Sequence, residues 1–89
     1  MIIERSSQFK KDWKTAKRRG YDMSLIEEVI MLLATKAALP EKYCDHELKG
    51  KYSGYRECHI TPDWLLIYKY KDNYLILALA ATGTHSDLF

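Results

Sequence analysis

Eighty-nine residues, 47% hydrophobic and 29% charged, predict one globular domain spanning residues 1–89 and exclude a disordered tail or a fibrous repeat. The longest apolar run, Tyr74 to Ala81, is far short of the roughly 18–20 residues that a membrane span needs, and Met1-Ile2-Ile3-Glu4-Arg5 is charged too early for a secretory leader. Two cysteines, Cys44 and Cys58, are too few for a disulfide scaffold, so a reducing, cytoplasmic setting is expected. The net charge of +2 hides an asymmetry: residues 1–20 carry seven Lys/Arg against two acids, whereas residues 21–89 carry seven basic and ten acidic side chains. Such a patch suits a polyanion, because neutralising phosphates releases counterions. A merely solvated helix face accounts for the charge equally well.

Ile2-Ile3-Glu4-Arg5 reads as an opening strand. Ser6 or Ser7 then caps a first helix, in which Phe9, Trp13 and Ala16 form a narrow apolar stripe among Lys10, Lys11, Lys14, Lys17, Arg18 and Arg19. Gly20 ends it as a left-handed residue. Ser24-Leu25-Ile26-Glu27 has the form of a capping box for a second helix reaching about Thr35, with Ile26, Val29, Ile30 and Leu33 on its buried face and Pro40 barring continuation. Leu39 to Gly54 is turn-rich and polar, a loop with a short strand. Strands are expected over Gly54–Ile60, Trp64–Tyr70 and Tyr74–Ala81, broken by Thr61-Pro62-Asp63 and by a tight Lys71-Asp72-Asn73 turn. The result is an α+β fold: an N-terminal strand and a helical hairpin packed on an antiparallel sheet that ends in a three-strand meander.

The three histidines all fall at loop or strand-end positions, where a rigid sheet carries functional groups. His46 follows Asp45, His59 precedes Asp63 by four residues, and His85 follows Thr82-Gly83-Thr84. Imidazoles exchange protons near neutral pH. With Lys49, Lys51 and Arg56 in the same half, the set suits phosphodiester cleavage by an attacking 2′-OH: one group removes its proton, another protonates the leaving 5′-oxygen, and cations hold the phosphate charge. No metal or cofactor is required. Cys44, His46, Cys58 and His59 lack zinc-ligand spacing. The tyrosines Tyr52, Tyr55, Tyr68, Tyr70 and Tyr74 divide between base stacking and core, and Trp13 belongs with the core.

Three segments taken together carry more than any one of them. Asp45-His46-Glu47-Leu48-Lys49-Gly50, then Gly54-Tyr55-Arg56-Glu57-Cys58-His59-Ile60-Thr61-Pro62-Asp63-Trp64, then Thr82-Gly83-Thr84-His85-Ser86-Asp87-Leu88-Phe89 resemble, in this order, the YafQ branch of the RelE/ParE superfamily of bacterial toxins. The resemblance covers the whole chain and implies a RelE-like fold. It implies an mRNA endoribonuclease of a type II toxin–antitoxin pair that cuts messages in the ribosomal A site. The implied partners are the ribosome, mRNA and a cognate antitoxin of the DinJ or RelB type, whose dimerisation would give a heterotetramer. Position by position, His46, His59, Asp63 and His85 match the family's catalytic residues and Phe89 its C-terminal aromatic. The resemblance puts His46 and His85 at the reacting phosphate, with His59 and Asp63 completing or orienting the set. Trp64 belongs to the matched motif and divides equally between that site and the core.

One position departs from the pattern. Before Thr-Gly-Thr-His the family usually has an arginine, and here that position is Ala81. Loss of one preorganised transition-state donor costs about 10²–10³ in rate, so an attenuated or inactive ribonuclease is expected. Either Ala81 is an introduced substitution, which the survival of every other motif position favours, or it is a divergence compensated by Arg56 or a lysine. A non-catalytic ParE-like toxin acting on a protein target, and a plain RNA-binding module, are the competing functions. Clustered titratable groups argue against both.

Overall fold

A computed structural model describes residues 1–89. Strand β1 (Ile2–Arg5) leads into α1 (Ser7–Arg18) and α2 (Met23–Ala34). Two 3-10 turns, Glu41–Tyr43 and Gly50–Tyr52, flank the two-residue strand β2 (His46–Glu47), and β3 (Arg56–Thr61), β4 (Trp64–Lys71), β5 (Ile76–Gly83) and a final turn of helix, α3 (His85–Leu88), follow. The strands form one sheet in the order β1-β5-β4-β3-β2. The meander β3-β4-β5 is antiparallel as expected. β1 instead lies parallel to β5, Ile2 opposite Ile76 and Arg5 opposite Leu79. Same-direction neighbours need a crossover rather than a hairpin, and the α1–α2 pair lies in the connection between them.

Local chemistry explains most boundaries. The Ser6 hydroxyl accepts the Phe9 N–H at 2.9 Å, and Gly20 turns the chain with φ of +82°. The cap of α2 is not the expected Ser24 but Asp22, whose carboxylate accepts the Ser24 N–H at 3.1 Å and its hydroxyl at 2.6 Å. An anion at a helix N-terminus is favoured by the helix dipole, and it takes the serine as its own ligand. β5 starts at Ile76 rather than Tyr74, because Asp72, Asn73 and Tyr74 all have positive φ and extend the turn by two residues.

Pairing register divides the sheet into two faces, since residues opposite one another point the same way. On one face Cys58, Leu66, Tyr68, Leu77 and Leu79 pack with Phe9, Ala16, Ile26, Val29 and Leu33 of the hairpin. Full burial of each such aliphatic or aromatic side chain contributes about 1.5–3 kcal/mol. Trp64 is 3% exposed and stacks on Tyr21 with centroids 4.8 Å apart, so its place is the core. Trp13 is half-buried against the same cluster. Tyr68 and Tyr70 also lie on this face, their hydroxyls donating to Asp45 and to the Leu33 carbonyl, each at 2.6 Å.

The other face carries two cross-strand rows. His46, Glu57, Ile67 and Ala81 make one; His59, Leu65 and Gly83 make the next. A bulge sets the second half of β5 onto this pattern: Ile67 opposes Ala81 whereas Tyr68 opposes Leu79, leaving Ala80 unopposed. Leu65, Ile67 and Ala81 are buried yet stand outside the cluster that the hairpin makes.

Candidate active site

His46 is positioned by alternation along a short extended segment. Cys44, at φ of +48°, turns the chain; Asp45 then points to the helical face and His46 to the other. Asp45 is anchored there by the Tyr68 hydroxyl and by Arg56, whose Nη2 lies 3.1 Å from its Oδ2. The His46 ring is held at both nitrogens: Nδ1 lies 2.7 Å from the Cys44 carbonyl and Nε2 2.9 Å from Glu57 Oε2. A carbonyl only accepts, so Nδ1 carries a proton. The contact at Nε2 then requires one further proton shared between imidazole and carboxylate. The pair is a hydrogen-bonded unit on the face away from the hairpin.

Glu57 stands outside the set expected from sequence. Its side chain is 5% exposed, it is the one buried acid of the chain, and Oε1 has no hydrogen-bond partner. The signal for it is spacing, because Glu57 and His59 are two apart on a strand and therefore share a face. Oxygen and nitrogen atoms of His46, Glu57 and His59 lie within 4.8 Å of one another. Two imidazoles and a carboxylate suit a divalent transition ion chemically.

The three histidines converge. Ring centroids are 6.2 Å apart from His46 to His59 and 5.9 Å from His59 to His85. The line continues through Phe89, 6.2 Å from His85, to Tyr52, 5.7 Å further, and Tyr55, 6.3 Å beyond. Lys51 lies over the Tyr52 ring at 5.4 Å and Lys69 over the Tyr55 ring at 4.4 Å. Asp63, at the β3–β4 turn, is exposed, with Oδ1 3.8 Å from His85 Nδ1, too long for a direct hydrogen bond and suited to one through water. His59 and His85 thus keep their ring nitrogens free of protein hydrogen bonds.

The cations separate into three groups. Lys51 is exposed beside Tyr52, whereas Lys49, also exposed, lines a separate groove with Arg56, Tyr70 and Tyr74. Lys10, Lys11, Lys14, Lys17 and Arg18 are exposed along α1, and Lys14, Lys17 and Arg18 line one shallow depression. Arg56, expected among the RNA-facing cations, lies on the helical face, bound to Asp45 and 3.7 Å from Glu47, so it does not reach the phosphate site. Its hydrogen bonds to Asp45 raise its pKa further above the ordinary value. Ala81 is 3% exposed, in the same row as Glu57 and one strand beyond Ile67.

A basic first helix, a mixed five-stranded sheet and a histidine-lined face without a helical cover define the chain as a small bacterial toxin of the RelE type. Residues 1–89 match the family model described as bacterial toxin of type II toxin-antitoxin system, YafQ, and the chain belongs to that family. It is 44% identical over 88 residues, 98% of this chain and 94% of the relative, to the mRNA interferase toxin YafQ of Escherichia coli K12. The fold is shared with YafQ in the crystal structure of the E. coli DinJ-YafQ complex (TM-score 0.88, 44% identity, 98% of this chain and 96% of that one). It is shared also with a metal-bound toxin from Helicobacter pylori (TM-score 0.92, 44% identity, 100% of this chain and 99% of that one). No helix is long and apolar enough to cross a membrane.

Proposed function

We propose that the chain is a ribosome-dependent mRNA endoribonuclease, the toxin half of a type II pair, acting by metal-independent attack of a ribose 2′-OH. The observation that carries this is the convergence of three imidazoles, in steps of 6.2 and 5.9 Å, on a face from which the hairpin is absent. The 2′-oxygen loses its proton to a base and bonds to phosphorus. The P–O5′ bond breaks, and an acid delivers a proton to the 5′-oxygen, leaving a 2′,3′-cyclic phosphate and a 5′-hydroxyl.

The ring contacts favour a division of roles that differs from the family-implied one. His59 and His85 have free ring nitrogens and handle the two protons. His46, engaged at both nitrogens by the Cys44 carbonyl and Glu57, is held as a fixed polar group at the edge of the site rather than as a proton carrier. Asp63 orients His85 through water, and Phe89 and Tyr52 offer stacking surfaces to neighbouring bases. A transition ion at His46, Glu57 and His59 would have to replace the proton between His46 and Glu57, and the proposed cleavage does not use one; the H. pylori toxin was solved with metal bound.

Lys49 and Lys51 contact the message, and Lys10, Lys11, Lys14, Lys17 and Arg18 dock on ribosomal RNA. Ala81 leaves the site one donor short, so turnover is attenuated; Arg56, turned to the other face, supplies no compensation. E. coli YafQ has been solved with DinJ. A cognate antitoxin of this type, through its own dimer giving a heterotetramer, covers the histidine face or the basic helix. Translation run-off with purified ribosomes tests the reading. Codon-phased cuts support it, whereas intact message with stalled replication favours a ParE-like action and RNA binding without either favours a plain binding module.

A further inference from the structure

His85 stands on the least self-sufficient element of the fold. α3 is a single turn, too short to persist alone, because one turn fixes several residues for very few hydrogen bonds. Its order comes from Asp87. The Asp87 carboxylate accepts the Thr84 N–H at 2.9 Å, the Thr84 hydroxyl accepts the Asp87 N–H at 3.1 Å, and both carboxylate oxygens receive Arg19, at 2.7 and 3.1 Å. Arg19 caps the far end of α1, 68 residues away in sequence. Gly83 leaves room for this arrangement, since a Cβ there would sit 2.9 Å from Asp87 Cβ.

We infer that Arg19 is the positioning residue of the nuclease: through Asp87 it fixes the turn that presents His85 and Phe89, and it is not one of the cations available to RNA. This rests on the ribonuclease reading. A bidentate guanidinium–carboxylate pair fixes orientation as well as distance, which lysine cannot reproduce. Arg19 and the Thr84 N–H hold the Asp87 carboxyl well below the usual carboxylate range, so the clamp is fully charged at neutral pH. Both partners are partly exposed, 41% and 33%, so the pair adds little to global stability; its effect is on placement. Displacement of a reacting group by about 1 Å costs on the order of a hundredfold in rate.

Arg19→Met is therefore expected to lower kcat about 10- to 100-fold in the ribosome-dependent assay, with ribosome affinity and KM unchanged and the melting temperature almost unmoved. Arg19→Lys should restore part of kcat. Asp87→Asn keeps an oxygen for Thr84 but loses the ion pair, and should reproduce the loss. The double variant should then lose no more than either single one, a non-additivity that a general folding defect does not give. Amide exchange at Leu88 and Phe89, whose N–H groups donate to Thr84 and His85 carbonyls, reads the clamp without catalysis and should quicken in each variant. If wild type proves not to be a nuclease, that readout still decides the clamp. Unchanged kcat and exchange in Arg19→Met, or a loss confined to ribosome affinity, would overturn the inference.

Discussion

The two faces of one sheet are built from the same three strands and solve opposite problems. Cys58, Leu66 and Tyr68 face the hairpin, where the neighbours are mostly apolar, the Tyr68 hydroxyl is bonded to Asp45, and only the neutral Trp64 Nε1 lacks a partner. One residue away in each strand, Glu57, Leu65 and Ile67 face the other way, and the buried floor they make carries a half-satisfied carboxylate. A carboxylate buried with one oxygen unpartnered costs more than a neutral N–H in the same state, so its presence beside His46 marks the face that works rather than the face that folds. Burial alone does not separate the two: Leu65 and Leu66 are both fully buried. What separates them is which polar atoms the neighbouring strands bring into reach.

Substitutions on the working face should move turnover while leaving the fold. The largest expected change is a gain: Ala81→Arg projects a guanidinium from the row that contains Glu57 and His46, and should raise single-turnover cleavage about 10²–10³-fold. An unchanged rate would mean that the row does not border the reacting phosphate. Next, Glu57→Gln keeps the shape but replaces the carboxylate that holds His46 Nε2. Loss of such a charge-assisted hydrogen bond corresponds to about 10–100-fold in kcat, and circular dichroism should show an intact fold.

Away from both faces, reversing Lys14, Lys17 and Arg18 to Glu should weaken ribosome co-sedimentation. The dependence of binding on salt should become shallower by roughly one unit of slope for each phosphate that is no longer neutralised. Binding that is indifferent to the triple change would remove α1 from the docking surface. The smallest effect concerns the thiols. Cys58, in the packed face, has its pKa pushed up to about 12 by burial and by the nearby Asp45 and Glu57 charges, while Cys44 is exposed at the turn before His46. At pH 8 a thiol reagent should label Cys44 rapidly and Cys58 only on unfolding. Two fast thiols would show that the packed face opens.

Much of this division is legible in the residues. The apolar spacing of Phe9, Ala16, Ile26, Val29 and Leu33 specifies the packed side, whereas the strand-end positions of His46, His59 and His85 only suggest functional groups, and their meeting is an expectation from the family resemblance. Arg56 departs from its expected role because its charge is visible in the sequence and its direction is not: facing is set by register with Tyr68, and its partner Asp45 is brought in by a two-residue strand too short to announce itself. Glu57 is hidden for the opposite reason, an ordinary surface residue by type whose burial depends on His46 crossing from β2. The cap of α2 and the parallel pairing of β1 likewise depend on competition and topology rather than on local pattern.

Primer extension on messages translated by purified ribosomes, comparing the chain with His59→Ala and His85→Ala, addresses the working face most directly. Loss of codon-phased cuts by about 10²–10⁴-fold in each variant, with ribosome association retained, is the predicted result. Cuts that persist at the original rate in a variant lacking both imidazoles would contradict the assignment of this face as the nuclease.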